Sequence, residues 1–302
     1  TDMKIAMFYD TRPGRNDGPP LYWRHALETL GHKVVRFTSQ NEPLGHGEFD
    51  LYLWIDWGED ALTGILPYKP ICMKDHHPSA YVTSDTHLGF EYRLEKAKEF
   101  DYVFCNQERA VREFGDRGVE ARWLPHAVEP RAYPNTPECI KKYDVGFVGF
   151  VTFEKRADAL DRIYREFPNF FYGQRLFEEA AEVYRKSRIV FNTSAEDDVN
   201  MRLFEVLATG SFLLTEHVPS IGDFGLIDGK HFISYIDLND AVNKAGYFLK
   251  HVDKREKIAK DGMEAVLAGH TYQHRAKEVL NIIIPKWECN NSNEMIKETV
   301  NG

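Results

Sequence analysis

Several familiar routes to a function are closed by what this 302-residue chain does not contain. It holds only four cysteines, Cys72, Cys105, Cys139 and Cys289, and no two stand as Cys-x-x-Cys, which excludes a zinc ribbon or a dithiol redox site. Cys72 and Cys105 fall inside apolar, strand-like runs, so buried thiols are expected. No run of about 18 uncharged apolar residues occurs, so no membrane span is expected. The first residues show neither the basic nor the apolar region of a signal peptide, which together predicts a cytoplasmic protein. Positive charge is not in excess: 47 acidic against 38 basic residues give a net charge of −9. That argues against broad attraction to nucleic acid or anionic lipid, and leaves room for a local basic groove. The P-loop and the dinucleotide glycine fingerprint are both missing.

What is present is alternation. Apolar runs at Lys4 to Tyr9, Val34 to Phe37, Asp50 to Asp56, Pro70 to Lys74, Tyr102 to Asn106 and Ala121 to Pro125 read as strands. Amphipathic stretches at Leu21 to Leu30, His87 to Phe100 and Gln107 to Phe114 read as the helices between them. A second run of the same kind follows. Asp144 to Phe150, Phe170 to Tyr172, Ile189 to Asn192 and Ser211 to Thr215 are strand-like, and Phe153 to Phe167 and Leu176 to Arg188 are helical. Such alternation implies parallel sheets with helical crossovers, where ligands bind beyond the carboxyl ends of the strands. Residues 129–137 carry three prolines in nine positions, which fits an extended hinge near 130–140. The expected division is 1–134 and 140–270, a helix at 272–288 and a polar tail at 289–302.

Residues 192–215 are the most informative segment. A strand end leads into an acidic loop, Glu196 to Asp198, and then into a short helix with Met201, Phe204, Leu207 and Ala208 at helical spacing. Arg202 and Glu205 share another face of that helix. Gly210 stops it, and Ser-Phe-Leu-Leu-Thr reads as a buried parallel strand. Spacing alone allows a plain solvated Arg-Glu pair.

The run Phe204-Glu205-Val-Leu-Ala-Thr-Gly210-Ser-Phe-Leu-Leu-Thr215 resembles the donor segment of GT-B glycosyltransferases of the family 4 type, and more closely the branch with the CgeB-like spore-maturation proteins. The family places an acidic residue eight positions before this glutamate, and here that position is Asp197, shorter than a glutamate. The resemblance implies an α/β protein of GT-B fold, two doubly wound Rossmann-like domains facing a central cleft that closes about a hinge. It implies transfer of a sugar from a nucleotide-sugar donor, a UDP-sugar first, to an acceptor hydroxyl, with retention and with neither cofactor nor metal. Glu205 would bind the ribose hydroxyls, since a carboxylate can accept two hydrogen bonds from a vicinal diol.

Other residues take the roles that the same resemblance implies for their positions in the chain. Gly14 and Gly18, in the loop after the first strand, would line the donor site with Gly149 and Gly210. Lys155 and Arg156 sit at a helix start, where anionic side chains are normally preferred, so a bound diphosphate would resolve the conflict. Arg202 would assist them. Asp75-His76-His77-Pro78 is read as following a strand, with His76 or His77 facing the sugar; a metal reading of the same residues with His87 and His126 stays open. Trp57, Tyr81, His87 and His126 are aromatic or imidazole candidates for the acceptor, which could be a glycan, a small molecule or a modified nucleobase. The oligomeric state is not legible. Epimerase, hydrolase or non-catalytic binding roles on the same fold are the alternatives.

Overall fold

The alternation becomes two wholly parallel sheets. The structure is a computed structural model that describes residues 2–9, 18–37, 48–57, 72–136, 139–151, 154–194 and 198–285. The chain divides into two compact units, Thr1–Pro125 with Tyr272–Gly302, and His126–Thr271.

In the first unit the strands are β1 (Lys4–Phe8), β2 (Lys33–Phe37), β3 (Leu51–Asp56), β4 (Ser79–Thr83), β5 (Tyr102–Cys105) and β6 (Ala121–Trp123). They lie in the order β2-β1-β3-β4-β5-β6. Helices α1 (Pro19–Thr29), α2 (Phe90–Ala97) and α3 (Glu108–Asp116) are the described helices between them, and α9 (272–285) completes the unit. Sheets covered on both faces need strands without exposed positions, and every residue of β3 and β4 is buried. Phe8, Trp54, Leu94, Val103 and Phe114 belong to one core cluster, with the Phe8 and Trp54 rings stacked at 5.5 Å. Tyr272 of α9 packs on Tyr22 and Trp23 of α1, and Arg275 Nε donates to the Pro125 carbonyl at 2.8 Å.

The second unit repeats the plan. Strands β7 (Tyr143–Val148), β8 (Phe170–Gly173), β9 (Ser187–Asn192), β10 (Leu213–Glu216) and β11 (Ile233–Tyr235) lie in the order β11-β10-β9-β7-β8. Its helices are α4 (Glu154–Glu166), α5 (Phe177–Lys186), α6 (Met201–Ala208), α7 (Leu238–Lys250) and α8 (Val252–Gly269). Ala159, Leu160 and Ile163 form the buried side of α4 against Phe147, Ile189 and Phe191. Helix α7 starts at Asp237, whose side chain accepts from the Asp240 amide at 2.8 Å.

Three expectations are corrected. The strand expected at Pro70 to Lys74 is not formed by its described residues Cys72 to Lys74; the strand in this place is Ser79–Thr83. Cys72 is exposed, whereas Cys105 lies in the core, where burial pushes its thiol up to about 12. The described part of the proline-rich segment, residues 129–136, lies inside the second unit. The unit boundary falls at Pro125, and residues beyond it are pinned into the second unit: Ala132 and Tyr133 amides donate to the Glu129 carbonyl, and the buried Tyr133 ring stacks on Tyr184. No helix among the described residues is long and apolar enough to cross a membrane.

Candidate active site

In both sheets the strand order reverses beside the first strand, between β1 and β3 and between β7 and β9. Helices then leave opposite faces, and a crevice opens at the carboxyl ends of those two strands. In the second unit that crevice is lined by cations. Gly149 follows β7 at φ +154, and a Cβ there would lie 2.2 Å from Arg202 Nη2, so only glycine allows the guanidinium to sit against this turn. Arg202 reaches it from α6. Its Nε donates to the Val148 carbonyl at 2.7 Å, its Nη1 to Asn192 Oδ1 at 2.6 Å, and its guanidinium lies 4.4 Å from the centre of the Phe147 ring.

Arg156, buried at the start of α4, joins the two sides of the crevice: Nη1 donates to the Phe150 carbonyl at 2.8 Å and Nη2 to the Thr193 carbonyl at 3.3 Å. Burial, and after it the neighbouring Arg202 cation, lowers its pKa to about 10. Two guanidiniums are thus held over one aromatic ring, an arrangement that a bound anion relieves. Lys155, half exposed, pairs with Glu216 at the end of β10 at 2.7 Å. The second Glu216 oxygen accepts from the Ser194 amide and the Thr193 hydroxyl.

Glu205 lies one helical turn beyond Arg202 and is buried. Tyr184 donates to its Oε2 at 3.4 Å, and Tyr133 adds a second hydroxyl. Burial pushes the Glu205 carboxyl above the ordinary range, against the opposing pull of Tyr133, Arg202 and Tyr184. Gly210, at φ +69, ends α6 where the sequence places it. The candidate donor residues Gly149, Lys155, Arg156, Arg202 and Glu205 therefore gather in one unit around one switch point. Asp197 and Gly14 lie outside the described residues.

In the first unit the equivalent crevice is differently furnished. Gly18, at φ +121, opens α1, and the Trp57 ring occupies the space where its Cβ would be, 2.4 Å away. Beside Trp57, Asp56 receives Tyr81 Oη at 2.5 Å and Thr83 Oγ1 at 3.3 Å, and Arg93 Nε lies 3.0 Å from its Oδ2. Tyr81 is fully buried, and desolvation, followed by the Asp56 charge, drives its phenol well above the usual value. Its expected role as an acceptor platform is corrected: it offers no surface to stack on. His87 is exposed at the carboxyl side of β4, its Nδ1 3.3 Å from Gln107 Nε2, while Gln107 Oε1 accepts from the Thr86 amide and hydroxyl at 2.6 Å. His126, half-buried, begins the second unit.

His76 and His77 are corrected in position. They precede β4, so they lie at the amino edge of the sheet, away from the ligand edge. His76 is buried edge-on against Tyr52 at 4.9 Å, and His77 Nδ1 pairs with Asp101 at 2.9 Å. Among the described residues no group of three or more His, Cys, Asp or Glu is arranged to hold a metal ion.

The sequence reading passed over Asn192, Glu216, Tyr133 and Tyr184. Asn192 and Glu216 end strands, and that position alone could have drawn attention to them. The tyrosines come from a turn and from α5, and no local pattern links them to Glu205.

Residues 154–281 match the family described as Glycosyl transferase-like, a stretch that takes in most of the second unit. That match marks a glycosyl transferase-like domain within residues 154–281, and the two doubly wound parallel sheets give the chain the GT-B fold. Sucrose-phosphate synthase from Thermosynechococcus elongatus is similar in structure, with a TM-score of 0.62 at 13% identity over 95% of this chain and 99% of that one. Anabaena HepE in complex with UDP and glucose superimposes with a TM-score of 0.66 at 13% identity, covering 94% of this chain and 100% of that one. An alpha-glucosyltransferase in complex with UDP and a 13-mer DNA containing a HMU base gives 0.64 at 11% identity, over 94% and 100%. No curated protein matches the sequence.

Proposed function

We propose that this protein transfers a sugar from a UDP-sugar to an acceptor hydroxyl with retention of configuration, using cationic side chains rather than a metal to carry the charge of the departing diphosphate. The observation that carries the proposal is the convergence of Lys155, Arg202 and Glu205 at the switch point of the family-matched unit. Two of the structural neighbours hold UDP, which supports a uridine nucleotide as the donor. Glu205 accepts the ribose hydroxyls; Arg202, and Lys155 once it exchanges Glu216 for phosphate, hold the diphosphate. Arg156, whose two terminal nitrogens serve backbone carbonyls, supports the site from below instead of gripping phosphate in a bidentate manner. The bond from the anomeric carbon to the diphosphate oxygen breaks, an oxocarbenium-like sugar forms, and the acceptor oxygen bonds to that carbon from the same side. A diphosphate oxygen takes the acceptor's proton, so no protein nucleophile is needed. Resemblance to family 4 supports retention. Trp57 and His87, at the carboxyl edge of the first unit, are the residues assigned to the acceptor.

Thermal shift with UDP-, GDP- and dTDP-glucose, followed by product analysis with and without glycan, small-molecule and modified-base DNA acceptors, tests the reading. UDP-glucose is expected to raise the melting temperature, and an acceptor to yield a glycosylated product. The proposal fails if no sugar nucleotide stabilises the protein. Free sugar or an epimerised nucleotide as the sole product would replace transfer with hydrolysis or epimerisation.

A further inference from the structure

The guanidinium of Arg202 is fixed by a chain of amides beneath it. A guanidinium only donates, so the atom 2.6 Å from Nη1 is the oxygen of Asn192. That choice sets every bond behind it. With its oxygen turned to Arg202, Asn192 must direct Nδ2 the other way, and it donates to Thr215 Oγ1 at 2.9 Å and Asn200 Oδ1 at 3.3 Å. Asn200 Nδ2 returns to Asn192 Oδ1 at 3.2 Å. Asn192 is 3% exposed and Thr215 2%, so these bonds form out of water, where an unmade one is costly. The Arg202 Nε is taken by the Val148 carbonyl. Nε and Nη1 are therefore committed to Val148 and Asn192, the Tyr184 hydroxyl also bonds the guanidinium, and Nη2 lies against the Gly149 turn.

We infer that Asn192 is a positioning residue: held by Thr215 and Asn200, it turns Arg202 so that Nη2 meets the donor diphosphate at the Gly149 turn. The inference rests on the donor site proposed above. It also explains why an amide stands here. A carboxylate could accept the same bond, but it would cancel the charge of Arg202 and would repel the diphosphate.

Isothermal titration with UDP alone, on the full chain, separates the inference from the reading it rests on. Wild type must bind UDP; if it does not, the donor reading falls and this inference with it. Given binding, Asn192→Ala is expected to weaken it about tenfold, the scale of one hydrogen bond to a charged group, and Asn192→Asp at least as much. Thr215→Val should lose less, because Asn200 still holds the amide. Combining Asn192→Ala with Arg202→Lys should weaken binding no further than Arg202→Lys alone, since both act through one guanidinium. Asn192→Asp conserves shape, and its melting temperature in the absence of UDP reports folding separately. Wild-type affinity in Asn192→Asp, or losses that multiply in the double variant, would overturn the inference while leaving the donor reading intact.

Discussion

The two units share a strand order through their first five strands and differ in what fills the switch point. In the first, the charge is sealed: Asp56 and Arg93, 4% and 0% exposed at their side chains, pair inside the sheet with Tyr81 and Thr83 around them. In the second, three cations stand at the crevice, two pressed over Phe147 and one tied to Glu216. The scaffold is therefore neutral with respect to chemistry. Ion pairs buried on all sides define structure, whereas like charges crowded at a strand end mark a candidate binding site.

Five variants test that division. The largest effect on stability is expected from Asp56→Ala, which leaves Arg93 buried without its carboxylate and should cost about 3–5 kcal/mol in chemical denaturation. Asp56→Leu with Arg93→Met, which removes both charges, should recover most of that loss. Were Asp56→Ala instead to unfold like wild type, the first crevice would not be a structural centre. Arg202→Ala is expected to shift the balance, lowering UDP affinity roughly a hundredfold while costing less stability than Asp56→Ala. Equal losses of stability and binding would erase the contrast between the units.

Glu205→Gln sharpens the point through pH. Burial raises this carboxyl in the folded state, so the charged form weakens the fold as pH climbs from the unfolded carboxyl value near ~4.3 through the raised folded one. The variant should therefore melt a few degrees higher than wild type at pH 7 and show no gain below about pH 4, while losing affinity for UDP. A variant that melts lower at pH 7 would mean that the carboxylate is held by its partners more strongly than burial penalises it.

The smallest effect is expected at His77. Asp101 raises its pKa in the folded state, so its contribution is full below the unfolded value near ~6.5 and disappears as pH rises through the folded one. The side chain is 45% exposed, so His77→Gln should cost under about 1 kcal/mol at pH 6 and nothing at pH 9. A loss of glycosyl transfer in this variant, with donor binding and stability unchanged, would return the amino edge to the functional site.

Much of the second unit was legible because its signals are local. Helix α6 carries apolar residues at helical spacing, Gly210 stops it, and Arg202 and Glu205 are three residues apart on one face. The histidines were misplaced because a continuous apolar run, Pro70-Ile-Cys-Met, imitates a buried strand better than Ser79-Ala-Tyr-Val-Thr83 does. The real strand is buried all the same, since Ser79 satisfies its hydroxyl on Asp101 and Thr83 on Asp56. Polar residues with partners supplied by distant segments cannot be told from exposed ones by pattern. The same limit hid Tyr133 and Tyr184 behind Glu205.

The return of α9 to the first unit has a consequence for how the molecule is made. Tyr272 and Arg275 belong to a unit whose larger part, Thr1–Pro125, is translated first, whereas His126–Thr271 is one uninterrupted length of chain. On the ribosome the second unit can therefore fold as soon as it emerges, while the unit begun earlier waits for its closing helix. Shortening the chain at Thr271 would strip cover from Tyr22 and Trp23 and harm the amino-terminal half, although the cut is made near the other end.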